Sequence, residues 1–155
     1  HLGLGGGDLL RWLHHRYPGV QQTAIDLNAQ VIDIYQRFFQ QEEQPSLHCQ
    51  DAFAWLGSGH QQYDLILIDL FSDDGSPAAL FQSATYEHLQ QHIAPDGRVI
   101  VNLLPRTEQE WQQVQHLLAG CGKVHSLRIA NYRNCLIWTE PKPAARKSPA
   151  RHSPD

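Results

Sequence analysis

Leu65-Ile66-Leu67-Ile68-Asp69 is the stretch on which the fold turns. Its aliphatic run has no polar alternation, the pattern of a strand covered on both faces, and such strands belong to parallel sheets. The run ends on an aspartate. Toward the N-terminus, Thr23-Ala24-Ile25 closes on Asp26, and a short strand from Ser46 to Cys49 is followed by Asp51. Toward the C-terminus, Val99-Ile100-Val101 forms a further strand. Helices are expected between these runs. One starts at Asp8 as its cap, reaches about Tyr17 and is ended by Pro18-Gly19. A second, capped by Asn28, sets Val31, Ile34, Tyr35, Phe38 and Phe39 on one face at helical spacing and is stopped by Pro45. Asp51 to Leu56 reads as a helical turn, and Thr85 to Ile93 as a helix followed by a Pro95-Asp96-Gly97 turn. Glu108 to Leu118 is a helix closed by Gly120 and Gly122. Val124 to Ile129 and Cys135 to Thr139 read as an antiparallel pair at the sheet edge. Short strands alternating with helices predict an α/β fold, a mostly parallel central sheet with helices on both faces.

Ligands of open α/β sheets bind beyond the carboxyl ends of the strands. Three of those ends carry an acid: Asp26, Asp51 and Asp69. Ahead of them stands Gly3-Leu4-Gly5-Gly6-Gly7-Asp8, where Gly3, Gly5 and Gly7 let the backbone take positive φ and approach a ligand. The dinucleotide fingerprint would need glycine at position 8, where Asp8 stands, and a carboxylate there repels phosphate. A cationic ligand without phosphate, such as S-adenosylmethionine, suits the loop better. Asp26 is placed to accept hydrogen bonds from both hydroxyls of a ribose. Asp51 and the adjoining Ala52 amide are placed for an adenine edge, although Asp51 also fits as a helix cap. Asp69 is placed to bind a substrate ammonium and take its proton, or else to anchor the following loop. Ser72 to Pro77 form that loop, which is polar and rich in turn formers.

Composition narrows the field. The 155 residues fit one domain, with 41% hydrophobic and 18% charged residues and a net charge of -4, so a polyanionic partner such as nucleic acid is not expected. No apolar run is long enough to span a membrane, and no signal peptide is visible. Cys49, Cys121 and Cys135 match no zinc spacing and read as free thiols in a reducing cytosol. His88 and His92 are spaced i, i+4, but no carboxylate or cysteine completes a metal set, so a surface or helix-face role is expected and no metal. Trp12, Trp55, Trp111 and Trp138 read as packing residues. The chain contains no methionine and reaches its glycine loop at once, which reads as a fragment with most of the first strand missing. Residues 1–141 are expected to form the nucleoside-binding domain, and 142–155, rich in proline and alanine, a disordered tail.

Taken in order, Gly3-Leu4-Gly5-Gly6-Gly7-Asp8, Ala24-Ile25-Asp26-Leu27-Asn28 with Val31-Ile32, Gln50-Asp51-Ala52, Tyr63 to Asp69, and Pro95-Asp96-Gly97-Arg98-Val99-Ile100-Val101-Asn102-Leu103 resemble the spermidine synthase family. The resemblance covers roughly residues 1 to 105 and implies a Rossmann-like class I methyltransferase fold. It implies aminopropyl transfer from decarboxylated S-adenosylmethionine to a polyamine. Asp26 would take the ribose hydroxyls, Asp51 with Ala52 would flank the adenine, Asp69 would be the base, and Leu27 and Leu70 would be among the cofactor's contacts. The loop up to Pro77 would cover the nucleoside, and a homodimer is one expected arrangement. Two departures stand out. The family's second aspartate, three residues after the catalytic one, is Ser72 here, with Asp73 and Asp74 following as substitutes for holding the amine. The small β-rich region that precedes this domain in the family is not in the chain. Methyl transfer from S-adenosylmethionine and a non-catalytic nucleoside-binding paralogue are the competing readings.

Overall fold

The computed structural model describes residues 1–141; the expected tail at 142–155 lies outside the described residues. The chain runs α1 (Asp8–Arg16), β1 (Thr23–Asp26), α2 (Ala29–Ile34), β2 (Ser46–Cys49), α3 (Ala52–Ser58), β3 (Tyr63–Ile68), α4 (Ser83–His92), β4 (Ile93–Leu103), α5 (Glu108–Leu118), β5 (Lys123–Arg128) and β6 (Cys135–Glu140). β1 pairs parallel with β2, and β3 parallel with β4. β6 lies antiparallel between β4 and β5, so the expected antiparallel pair closes the sheet. Leu2 joins the two halves, bridging Ile25 on one side and Ile68 on the other in parallel sense. Its N–H donates to the Leu67 carbonyl at 2.8 Å, and its carbonyl accepts from Asp69 N–H at 2.9 Å. On the other side Gly3 N–H donates to the Ile25 carbonyl at 2.8 Å. The strand order is therefore β2-β1-Leu2-β3-β4-β6-β5.

The apolar runs explain why this order holds. Ile66, Leu67 and Ile68 are each less than 10% exposed, as a strand covered on both faces requires. Leu2, Ile25, Ile66, Ile68, Val99 and Val101 form the larger core with Leu56 of α3, Leu89 of α4 and Leu118 of α5. The opposite face is a smaller cluster of Leu4, Leu10, Ala24 and Tyr35. Helices thus cover both faces, and successive residues of β1, Ala24 and Ile25, feed different layers.

Several local expectations are corrected. The helix begun at Asn28 does not keep one apolar face, because it passes into a π-helical turn over Tyr35–Phe39. That turn rotates Tyr35 into the core and leaves Phe38 75% exposed, with Ile34 and Phe39 exposed as well. The Tyr35 hydroxyl donates to the buried Glu43 carboxylate at 2.8 Å, a pairing no local pattern announces. Pro95-Asp96-Gly97 lies within β4, where the ladder jumps from the Tyr63–Ile93 pair to the Leu65–Arg98 pair, so the turn is an interruption inside the strand. His92 is fully buried: its ring nitrogens contact the carbonyls of Gln61 at 2.7 Å and Leu56 at 2.9 Å, and the ring stacks on Trp55. It is a core residue rather than a surface one. Trp12 is 57% exposed with its ring edge toward Tyr17, so it is not a core packing residue.

Candidate functional site

β1, β2 and β3 run parallel, and the bridges of Leu2 to Ile25 and Ile68 together with the Asp26–Cys49 pair set their carboxyl ends level on one edge. Asp26 closes β1 opposite Cys49, Asp51 follows two residues past that partner, and Asp69 follows Ile68. The bridge at Leu2 delivers the glycine loop to the gap between Asp26 and Asp69. The loop, Asp8 and Asp69 line an open cleft of about 460 Å³. Asp26 and Asp51 sit along its edge of the sheet without lining that cleft.

The loop can form only with glycine at its ends. Gly3 has φ +93°, and a Cβ there would lie 2.3 Å from the Asp69 carbonyl oxygen. Gly7 has φ +73°, and a Cβ there would meet the Tyr35 ring at 2.2 Å. Between them, Gly5 and Gly6 have nothing within 4 Å of an added Cβ, so the loop's middle is open to a close ligand.

Gly7 rather than Asp8 occupies the cap position of α1, and Asp8 makes no side-chain cap. Asp8 instead pairs with Arg11. Arg11 also donates to the carbonyls of Gly6 at 2.6 Å and Phe39 at 3.0 Å, buttressing the loop from below. The paired Arg11 weakens the argument that Asp8 alone repels phosphate. Arg11 was missed in the sequence because a cation one turn into a helix looks like surface.

Each acid has a structural duty as well. The Asp26 carboxylate accepts from Leu4 N–H at 3.0 Å and from Asn28 N–H at 2.9 Å, which ties the glycine loop to the end of β1. A carboxylate has about four lone-pair sites, so acceptor capacity remains for a ribose diol. Asp51 accepts from Ala54 N–H at 2.8 Å and caps α3, with Ala52 buried beside it. Asp69 is exposed and accepts from the Asn102 amide at 2.9 Å; Asn102 in turn accepts from Asn134 at 3.1 Å. This line crosses from β3 to β4 to the start of β6. Asn134 lies beyond the resemblance and had no sequence signal. Leu27 is 71% exposed at the rim, while Leu70 packs on the core.

Ser72 to Gly75 make a tight turn. Ser72 N–H donates to the Gly75 carbonyl at 2.7 Å, and the Ser72 hydroxyl donates to the same oxygen at 3.0 Å. The hydroxyl is thus turned into its own loop, and Asp73 and Asp74 stand exposed at the tip. Ser76 pins the loop to the end of β4 by accepting from Leu104 N–H at 2.9 Å. Among the described residues, no cluster of His, Cys, Asp and Glu is arranged to hold a metal, and no helix is long and apolar enough to cross a membrane.

A mostly parallel sheet in this order, a glycine turn after its central position and acids on the flanking strand ends define a Rossmann-like fold of the class I methyltransferase type. The spermine/spermidine synthase domain matches residues 2–142, and the chain belongs to that family. It is 26% identical over 140 residues to a polyamine aminopropyltransferase of Neisseria meningitidis, covering 88% of this chain and 53% of that relative. The chain spans well under two thirds of the length of the curated relatives it matches, 23% of a probable polyamine aminopropyl transferase of Bifidobacterium longum and 53% of the Neisseria protein. Among solved structures, human methyltransferase-like protein 13 in complex with SAH superposes with TM-score 0.81 at 23% identity, covering 92% of this chain and 71% of that one. A probable spermidine synthase from Corynebacterium glutamicum superposes with TM-score 0.80 at 18% identity, covering 90% and 54%. These likenesses establish the fold.

Replacing Asp26 separates its duties. Asp26→Ala is expected to weaken adenosyl nucleoside binding by about 10- to 100-fold, the loss of one or two hydrogen bonds to a charged acceptor. Calorimetric titration measures it. An unchanged affinity would remove Asp26 from the ligand and leave it only as the anchor of Leu4 and Asn28.

Proposed function

We propose that the protein is a transferase that holds decarboxylated S-adenosylmethionine on the Gly3–Gly7 loop and moves its aminopropyl group to a small amine at Asp69. The observation carrying this reading is the placement of Asp69, an exposed carboxylate one residue past the central strand β3, beside the glycine cleft and fixed by Asn102. The open middle of the loop fits a nucleoside that carries no phosphate, and the free lone pairs of Asp26 fit its ribose.

When bound, the sulfonium supplies a carbon activated for displacement and a neutral thioether as leaving group. The chain's own residues do the rest. Asp69 holds the acceptor's ammonium and takes its proton as nitrogen attacks. The new C–N bond forms as the C–S bond breaks, and the electron pair stays on sulfur. Asn102 holds one carboxylate oxygen and leaves the other to the amine. Asp51 and Ala52 flank the adenine, Leu27 and Leu70 border the nucleoside, and Asp73 and Asp74 add negative charge on the side of the acceptor's reacting ammonium.

Methyl transfer from S-adenosylmethionine is the second reading. It is favoured by Ser72, whose hydroxyl is turned into its own loop and offers a diamine no charge. Incubating the intact protein with each donor and a panel of small amines separates the two. Amine-dependent release of methylthioadenosine is the expected result. Formation of S-adenosylhomocysteine instead would transfer the assignment to methyl transfer, and neither product with any amine would overturn both.

A further inference from the structure

The line Asp69–Asn102–Asn134 leads away from the glycine loop to a second cleft on the same edge of the sheet. This cleft is shallow and open to solvent, and Arg106, Thr107, Glu108, Trp111, Arg128 and Arg133 are among the residues that line it. Its position follows from the topology. β4 ends at Leu103 opposite Cys135, β5 ends at Arg128 opposite the same residue, and α5 starts at Glu108. The cleft is therefore bounded by the end of β4, the start of α5 and the β5–β6 turn. Asn134, the last member of the line, is next in sequence to Arg133. Two hydrogen bonds, of 2.9 and 3.1 Å, separate Asp69 from the base of that turn.

The cations of this cleft are not alike. Arg106 is paired with Glu110, and Arg128 is paired with Glu108 while its guanidinium lies 3.8 Å from the centre of the Trp111 ring. Both charges are internally balanced, and they build the walls. Arg133 is exposed, lines the cleft and has no ion-pair partner among the described residues. The turn that carries Arg133 is fixed by Tyr132 N–H donating to the Ile129 carbonyl at 3.1 Å and by Asn131 at φ +67°. One unbalanced guanidinium on a set turn, beside the exposed Tyr132 ring, is a place for a planar anion.

We infer that the acceptor is a zwitterion, an amine whose nitrogen reacts at Asp69 and whose carboxylate is held by Arg133. The inference rests on the transfer reading above and names its substrate class. A simple diamine would set a second ammonium against Arg133, where like charges repel, whereas an ω-amino acid complements both ends.

The test compares ω-amino acids of increasing chain length with the matching diamines, on the intact protein, by two readouts. The first is calorimetric affinity in the presence of methylthioadenosine; the second is kcat/KM with decarboxylated S-adenosylmethionine as donor. The best ω-amino acid is expected to bind about tenfold or more tightly than its diamine, the preference of a charge-assisted bond to guanidinium over a repelled cation. Arg133→Glu is expected to invert that order, and Arg133→Ala to flatten it. Diamines preferred by the wild-type protein, or a preference that survives Arg133→Glu, would overturn the zwitterion while leaving transfer to amines intact. Selective, Arg133-dependent binding without turnover of any amine would instead overturn the transfer reading and keep the anion subsite.

Discussion

Asp69→Asn is expected to lower turnover by about 10²- to 10⁴-fold, the usual worth of a positioned general base, while leaving nucleoside affinity nearly unchanged. The substitution is chosen for its geometry. Asn102 donates to one Asp69 oxygen at 2.9 Å, and an asparagine keeps an oxygen for that bond. The variant therefore removes the charge and the basicity without freeing the loop, and Asp69 N–H still donates to the Leu2 carbonyl. Steady-state kinetics beside a calorimetric titration read both effects. Turnover within a few-fold of wild type would take Asp69 out of the chemistry and leave it as an anchor for the following loop.

Gly3→Ala is expected to produce the largest loss of stability of any substitution in the loop, above about 4 kcal/mol, the range reached only by severe steric or burial faults. Positive φ alone costs an L-residue roughly 1–2 kcal/mol. At Gly3 the added Cβ also lies 2.3 Å from the Asp69 carbonyl oxygen, a backbone atom fixed in the sheet that cannot swing aside. Gly5→Ala is the control. Its φ is +52°, and an added Cβ meets nothing within 4 Å, so only the backbone term remains. Urea midpoints of the two variants measure the contrast. Equal losses would mean that the approach of Gly3 to Asp69 is not what holds the loop.

Much of the fold was legible because the strands advertise themselves. Ile66 to Ile68, Val99 and Val101 are buried and Leu65 and Ile100 half-buried, and strands covered on both faces read as apolar runs without alternation. The acids at the strand ends were legible for the same reason, since each stands where an apolar run stops. What escaped depends on contacts between distant segments. The π-helical turn at Tyr35–Phe39 goes with a buried Tyr35–Glu43 hydrogen bond, and helical spacing alone assigned Phe38 and Phe39 to a buried face they do not have. Arg11 looks like a surface cation until the chain folds it under Gly6. Asn134 joins Asp69 through Asn102 only because β6 inserts between β4 and β5. His92 belongs to the core because the carbonyls of Leu56 and Gln61, far away in sequence, meet its ring.

In the proposed function, the Gly3–Gly7 loop and Asp26 together bind an adenosyl sulfonium. Calorimetric titration of the intact protein with decarboxylated S-adenosylmethionine and with S-adenosylmethionine, set beside the same titrations of Asp26→Ala, tests it most directly. Saturable binding of the decarboxylated donor, tighter than that of the carboxylated one and weakened by about 10- to 100-fold in the variant, is the predicted result. Absence of binding by either nucleoside at high micromolar concentration would contradict it.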